Sequence, residues 1–230
     1  MNFLNILKYF FFTIVFIYTC LWVPINLFLS SLGQKKFPIT VIENEQIRQL
    51  INKKTGTDIR LIKISESNRP FGMMIGIPGK PQLILSRNLY DTFTPGEMEY
   101  VLLHEVGHYK LWHGVVELIA GTILLAIGIL VLRKISPFPT SILSAIALGV
   151  VFGIIMIRLG KAHEYQADNF SLKNMTNPEG MIQATNKFRG FYRKRSYTEN
   201  NNKLISFLFY RGNPYNNRIK MAQTEIERRM

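Results

Sequence analysis

Residues 94–108 read Thr-Pro-Gly-Glu-Met-Glu-Tyr-Val-Leu-Leu-His-Glu-Val-Gly-His, and this stretch decides how the rest of the chain is interpreted. Its first four residues form a capping box with proline at the first helical position, which predicts a helix over residues 95–113. Residues four apart share one face of a helix, so His104 and His108 can point at one metal ion. Glu105 is offset around the helix and can reach a water molecule beside that ion.

Two imidazoles at this spacing are typical of a zinc site. Zinc binds neutral imidazole nitrogen, and a catalytic site has three protein ligands and a fourth position for water. Zinc lowers the pKa of that water from about 15.7 toward ~7, so that a carboxylate can remove its proton. We therefore predict one zinc ion per chain, with His104 and His108 as ligands and Glu105 as the general base. The alternative is two exposed helix histidines beside a solvated glutamate.

The third ligand is expected on a second helix, because His113 does not have the spacing needed to join the pair. Residues 163–168 read His-Glu-Tyr-Gln-Ala-Asp, in which Glu164 and Asp168 share a helix face. Glu164 can bind zinc while Asp168 hydrogen-bonds a ligand histidine. His163 is an alternative ligand, and an exposed acidic helix face is the interpretation without a metal. We interpret His113 as an interfacial residue where its helix enters the membrane.

Three apolar blocks, at residues 3–32, 115–132 and 141–157, are each long enough to hold one membrane-spanning helix. We predict that the first block is an uncleaved N-terminal anchor; a cleaved signal peptide is the rival interpretation. Pro137 and Pro139 separate the other two blocks and mark the turn of a helical hairpin. A buried hairpin in a soluble core is the alternative for these two blocks.

The charge distribution predicts the membrane topology. The net charge is +13, and we attribute this basic charge to contact with a lipid bilayer, because no nucleic-acid motif is present. Residues 33–114 contain 11 Lys and Arg, and residues 159–230 contain 13. The positive-inside rule puts both segments on the cytoplasmic side of a multi-pass protein. The single cysteine, Cys20, excludes an intramolecular disulfide and a Cys-rich zinc site.

The polar segment before the capped helix is predicted to contain a helix and a small sheet. Helical spacing covers residues 41–54, and Gly56 is placed to end that helix. Strand-like runs cover residues 59–65, 73–77 and 82–86. The Pro-Gly-Lys-Pro sequence at 78–81 predicts a hairpin between the last two runs. We therefore expect a mainly helical α+β fold.

The two metal motifs and their order resemble the HtpX and CAAX-prenyl-protease family of integral-membrane zinc peptidases. The matching residues are Leu-Leu-His-Glu-Val-Gly-His at 102–108, Glu164-x-x-x-Asp168 after two apolar blocks, and Leu-Ser-Arg-Asn-Leu-Tyr-Asp at 85–91. The resemblance implies a gluzincin-like core, endopeptidase activity at the membrane surface, and a role in membrane-protein quality control or prenyl-protein processing. Residues 68–71 lie where related peptidases present a sheet edge to an extended substrate.

Two features depart from that family. Its members usually have more than one span before the catalytic region, and this chain has room for one. The family has a His-Pro motif ahead of Arg-Ile near its C-terminus, whereas residues 211–219 here read Arg-Gly-Asn-Pro-Tyr-Asn-Asn-Arg-Ile. The histidine position falls on Gly212 or Asn213, and Asn213-Pro214 also fits a simple helix cap. Arg218 keeps the Arg-Ile end and is a candidate for orienting the site or binding substrate.

These observations predict four segments. They are an N-terminal transmembrane anchor at 1–32, the first half of a catalytic domain at 33–114, a transmembrane hairpin at 115–158, and the second catalytic half with a basic tail at 159–230. We predict a membrane-bound zinc endopeptidase acting on membrane or membrane-proximal polypeptides. The alternatives are a site-2-type intramembrane metalloprotease and a non-catalytic zinc-binding sensor or scaffold; retention of Glu105 argues against the latter.

Overall fold

The computed structural model describes residues 6, 9, 10, 12–14, 38–76, 79–134, 140–192 and 212–230. Its elements in chain order are β1 (Ile39–Ile42), α1 (Glu45–Thr55), β2 (Leu61–Ser65), β3 (Gly72–Ile75), β4 (Gln82–Ser86), α2 (Arg87–Thr92), α3 (Pro95–Lys110), α4 (His113–Lys134), α5 (Thr140–Asn174), α6 (Glu179–Phe191) and α7 (Tyr215–Arg229).

The described residues fall into two compact units. The sheet unit comprises the described residues between 38 and 113, residues 162–192 and residues 212–230. The hairpin unit comprises residues 114–134 and 140–161 together with the described N-terminal residues. The mainly helical fold with a small sheet agrees with the expected fold class.

The sheet has the strand order β1-β2-β4-β3, with β2 and β4 parallel and the other two pairs antiparallel. The predicted hairpin between the last two runs is confirmed, since Met73 pairs with Ile84 across β3 and β4. β4 lies inside the sheet, and its residues Leu83 and Leu85 are fully buried. β3 is an edge strand of the described sheet.

The helix predicted over residues 41–54 begins later than expected. Residues Ile39–Ile42 form β1, which pairs with β2, and α1 starts at Glu45. The Asn44 side chain accepts a hydrogen bond from the Ile47 backbone N–H and so caps the helix. Gly56 ends α1 in the left-handed conformation at φ 65°, in agreement with its predicted role.

α3 is buried in the middle of the sheet unit, where it packs against β3, α1 and α6. Its predicted capping box is confirmed, because the Thr94 hydroxyl accepts from the Glu97 N–H and the Glu97 carboxylate accepts from the Thr94 N–H. Leu102, Leu103 and Val106 have almost no exposed surface. This apolar burial on several sides fixes the helix that carries both predicted histidine ligands.

A close approach at Gly107 brings the second predicted motif to α3. A Cβ atom at Gly107 would lie 3.2 Å from the Ala167 Cα atom of α5 and 3.2 Å from the Phe170 Cβ atom. Because glycine has no side chain, the two helices can approach this closely. The face of α5 around Ala167 therefore lies directly against the histidine helix.

α3 ends at Lys110, before the predicted boundary at residue 113. Trp112 takes the left-handed backbone conformation at φ 57°, and α4 begins at His113. The predicted helix and the following apolar block are therefore two helices separated by a turn, rather than one continuous helix.

Two described helices are long and apolar enough to cross a membrane, His113–Lys134 and Leu143–Asn174, and most of their residues belong to the hairpin unit. They include the predicted blocks 115–132 and most of 141–157. Five buried residues form the core of this unit: Phe12, Leu132, Ala145, Phe152 and Met156. Most of the predicted N-terminal anchor and the turn at Pro137 and Pro139 lie outside the described residues.

Candidate metal centre

The two histidines of α3 face the carboxylate of Glu164 on α5. The Nε2 atoms of His104 and His108 are 3.1 Å apart. Glu164 Oε2 is 3.6 Å from His104 Nε2, and Glu164 Oε1 is 3.5 Å from His108 Nε2. The structure thus brings the three predicted ligand residues together, with one donor atom from each within 4.8 Å of the others.

This arrangement fits a zinc ion. Zinc ligands at about 2.0–2.2 Å and tetrahedral angles stand roughly 3.3 Å from one another, close to the three donor separations above. Two imidazole nitrogens and one carboxylate oxygen form a donor set that catalytic zinc uses. The side chains of His108 and Glu164 are each 26% exposed, so the site opens to solvent on one side. That opening leaves room for the water and substrate that a catalytic site requires.

Asp168 lies behind His104 and has no exposed surface. Its Oδ1 atom is 2.9 Å from His104 Nδ1, within ion-pair distance, although the ring N–H is not aligned with that oxygen. The same carboxylate accepts hydrogen bonds from the Tyr100 hydroxyl at 2.8 Å, from Asn213 Nδ2 at 2.7 Å and from Arg218 Nε at 2.9 Å. Asp168 therefore holds the nitrogen of His104 that faces away from Glu164.

Arg218 joins the two carboxylates of α5. Its Nη2 atom donates to Glu164 Oε2 at 2.9 Å, while its Nε atom donates to Asp168 Oδ2. Asn213, just before α7, is also buried and donates to Asp168. The C-terminal segment 212–230 thus contributes two side chains to the surroundings of the predicted zinc ligands.

The charged groups of the site shift one another's pKa. Burial lowers the pKa of His104, but the carboxylates of Asp168 and Glu164 together outweigh burial and raise it to about 10. Burial raises the pKa of Asp168, but Arg218 and then His104 outweigh it and lower the value to about 2. Burial and the neighbouring His104 lower the pKa of His108 to about 3. Metal binding at His104 must therefore displace a proton.

Glu105 lies beside the donor group without belonging to it. Burial is the main reason that its pKa is raised to about 7, and His104 acts in the opposite direction. The Glu105 side chain lies against the edge strand β3, because a Cβ atom at Gly72 would be 3.4 Å from Glu105 Cγ. A carboxyl group that titrates near neutral pH and sits next to a metal-ligand set is suited to general acid and base catalysis.

The remaining histidines lie together near His108. His113 is buried, with 3% of its surface exposed, so its interpretation as an interfacial residue at the membrane is wrong. His163 stacks on His113 with ring centroids 4.1 Å apart and does not belong to the donor group. The structure thus brings Glu164, and not His163, to the histidine pair.

Three tyrosines, Tyr100, Tyr109 and Tyr165, lie on the two helices that carry the donor group. Tyr100 donates to Asp168, and the Tyr109 hydroxyl accepts from the Gly79 backbone N–H at 2.8 Å. Tyr165 is about half exposed, at 47%. The contact between Tyr100 and Asp168 was not predicted from the sequence. Tyr100 lies one turn before His104, and it reaches Asp168 only because α5 packs against α3.

Comparison with known proteins gives the family of this chain. Residues 44–226 match peptidase family M48, and the chain belongs to that family. Protease HtpX from Psychrobacter sp. (strain PRwf-1) is 28% identical over 193 residues, which cover 72% of this chain and 63% of that protein. The chain thus spans less than two thirds of the length of this relative. The predicted resemblance to the HtpX and CAAX-protease group is confirmed.

A solved structure has the same fold. The crystal structure of S. mikatae Ste24p matches with a TM-score of 0.63 and 18% sequence identity, over 96% of this chain and 59% of that chain. At this level of identity the match indicates similarity of fold alone.

Proposed function

We propose that the chain is a membrane-bound zinc endopeptidase that hydrolyses peptide bonds. One zinc ion per chain would be held by His104, His108 and Glu164, with Glu105 as the catalytic base. The observation that carries this proposal is the meeting of the three donor side chains beside Glu105, in a chain that belongs to peptidase family M48.

Bound zinc supplies a Lewis acid that polarises a carbonyl group and lowers the pKa of water toward ~7. Glu105 is the side chain placed to remove a proton from the attacking water and to donate it to the leaving amine nitrogen. Its pKa of about 7 suits both steps, since a group near the working pH can take up and release a proton.

Asp168 and Arg218 would act as positioning residues. Asp168 holds the Nδ1 side of His104, which leaves Nε2 for the ion. Arg218 donates to Glu164 and Asp168 together, so one guanidinium sets the distance between the ligand carboxylate and the carboxylate behind His104. These contacts would orient the ligands before substrate arrives.

The edge strand β3 is a suitable place for an extended substrate. Among the described strands only β4 pairs with β3, so the other side of β3 presents backbone groups for strand addition. Residues 68–71, which were expected to lead into this edge, come directly before β3. A peptide paired with β3 would pass next to Glu105, because the Glu105 side chain lies against Gly72 of that strand.

We further infer an integral membrane protein with several spans, an N-terminal anchor and a gluzincin-like core facing the cytoplasm. Support comes from the two long apolar helices and from the Lys and Arg excess in residues 33–114 and 159–230. The substrates would be membrane or membrane-proximal polypeptides, and the lipid bilayer, rather than nucleic acid, would contact the basic surface.

Cleavage of an unfolded, fluorescently labelled polypeptide by the full chain in detergent tests the proposal. We expect cleavage that a chelator removes and added zinc restores. Glu105→Gln should retain one zinc per chain and lose about 10²–10⁴-fold in turnover, the usual contribution of a general base. Near-normal turnover of Glu105→Gln would reject the base assignment, and a zinc-loaded wild-type chain without cleavage would favour the sensor or scaffold alternative.

A further inference from the structure

His113 is a buried histidine that contacts a proposed zinc ligand from behind. Its Nδ1 atom lies 2.9 Å from His108 Nδ1, and its Nε2 atom lies 2.9 Å from Gln166 Oε1. Its ring also stacks on His163 with an interplanar angle of 5°. These contacts fix both the position of the His113 ring and its rotation.

The hydrogen-bond partners define the tautomers. Gln166 Oε1 can only accept, so His113 Nε2 carries the proton and donates it. When His113 is neutral, its lone pair is then at Nδ1, and His113 Nδ1 accepts the N–H of His108 Nδ1. His108 then has its lone pair at Nε2, the atom that faces His104 and Glu164. The chain from Gln166 through His113 thus selects the tautomer of His108 that can bind a metal.

This contact depends on the turn that separates α3 from α4. His113 follows His108 by five residues, so on one continuous helix the two side chains would point about 140° apart. Trp112 lies in the turn after α3 and has φ 57°. This left-handed conformation favours glycine and strains a bulky side chain. The strained turn folds His113 back onto His108.

We propose that His113 is a positioning residue for the metal ligand His108. His113 Nδ1 accepts the N–H of His108 Nδ1. Gln166 accepts from His113 Nε2 and so keeps the lone pair of His113 Nδ1 directed at His108. This role rests on the proposed function, since it assumes a metal at His108 Nε2. The two ligand histidines then have different partners behind them, the Asp168 carboxylate for His104 and a neutral imidazole for His108.

The experiment measures zinc affinity of the full chain in detergent by competition with a chromophoric chelator. His113→Phe keeps the ring and its stacking on His163 but removes the acceptor. We expect it to weaken zinc binding by about 10–100-fold, as loss of a ligand's hydrogen-bond partner does. His113→Asn places an oxygen where Nδ1 stood, so its zinc affinity should stay within about threefold of wild type.

Two further variants separate positioning from folding. Trp112→Gly changes the same turn but suits its left-handed backbone, so it should keep wild-type zinc affinity. Gln166→Met removes the acceptor for His113 Nε2 at similar size and should weaken zinc binding even if His113→Phe fails to fold. The unfolding temperature of each metal-free chain is the control for folding. A variant that is only structurally damaged loses both unfolding temperature and zinc affinity.

The results that overturn this inference differ from those that overturn the proposed function. Wild-type affinity in both His113→Phe and Gln166→Met would reject the positioning role. Equal losses in His113→Phe, His113→Asn and Trp112→Gly would show sensitivity to any change in the turn and would reject it as well. A wild-type chain that binds no zinc would instead reject the metal site itself.

Discussion

At the scale of single residues, Asp168 joins α3, α5 and the C-terminal segment behind the proposed zinc site. It accepts from Tyr100 and Asn213, pairs with Arg218 and lies against His104. A buried carboxylate with this many donors stays ionised, because each donor stabilises its charged form. Its negative charge favours a ligand histidine whose second nitrogen binds the ion.

Replacing Asp168 by Asn should therefore weaken zinc binding while Glu164 remains in place. The change removes the charge behind His104 at nearly constant size, and we expect about 10–100-fold weaker zinc affinity with a parallel loss of cleavage. Arg218 would also lose a buried partner, so the unfolding temperature should fall. Chelator competition and thermal unfolding measure the two effects. Zinc affinity of Asp168→Asn equal to that of the wild type would contradict a role of Asp168 in positioning His104.

Spacing in the sequence was sufficient to predict the residues that share a helix face, and not those that meet across helices. The pairs His104 with His108 and Glu164 with Asp168 follow from the helical repeat. The amide of Asn213 reaches Asp168, and only the packing of its segment shows that contact. His113 was assigned to a membrane interface because no sequence pattern predicts the left-handed backbone conformation of Trp112.

At the scale of secondary-structure elements, the distance between α3 and α5 sets the geometry of the site. Gly107 lies at the crossing, where the Ala167 backbone leaves little room for a side chain. Each helix supplies part of the donor set, so an outward shift of α5 would separate Glu164 from the histidine pair.

We predict that Gly107→Ala weakens zinc binding by about tenfold or more, because an added methyl group must push α5 outward or distort α3. Gly190→Ala is the matched control, since it lies in α6 with nothing within 4 Å of the added atom. The control should keep zinc affinity and gain up to about 1 kcal/mol of stability from helix propensity. Zinc affinity of Gly107→Ala equal to that of the control would contradict the role of the crossing.

Element boundaries were predictable where a local signal sets them. The capping box at Thr94 and the glycine at 56 act through neighbouring backbone groups, and both appear as expected. Residues 41 and 42 were assigned to a helix by apolar spacing, but pairing with β2 draws them into a strand. That pairing partner lies about 20 residues away, beyond any local pattern.

At the scale of the whole molecule, the two halves of the proposed site are separated along the chain by the apolar hairpin. His104 and Glu164 lie on either side of residues 115–158, so an even number of spans between them would return the chain to the same side of the membrane. Hydropathy predicts the two spans, and the Lys and Arg excess predicts which side of the membrane the flanking segments face. The contacts around the donor group cannot be read from either property.

Reporter fusions test this topology. Reporters at Lys54 and at the C-terminus should both be cytoplasmic, and a reporter inserted at Pro137 should be on the opposite side. The reason is the Lys and Arg excess in both flanking segments together with two intervening apolar helices. Lys54 and the C-terminus on opposite sides would contradict both the topology and a zinc site shared by His104 and Glu164.

X-ray absorption at the zinc edge of the zinc-loaded chain in detergent tests the central claim most directly. We expect one zinc per chain with two imidazole ligands and the remaining donors oxygen, and we expect Glu164→Ala to lose most of its zinc. A third imidazole in the zinc spectrum, or full zinc occupancy in Glu164→Ala, would contradict the ligand set of His104, His108 and Glu164.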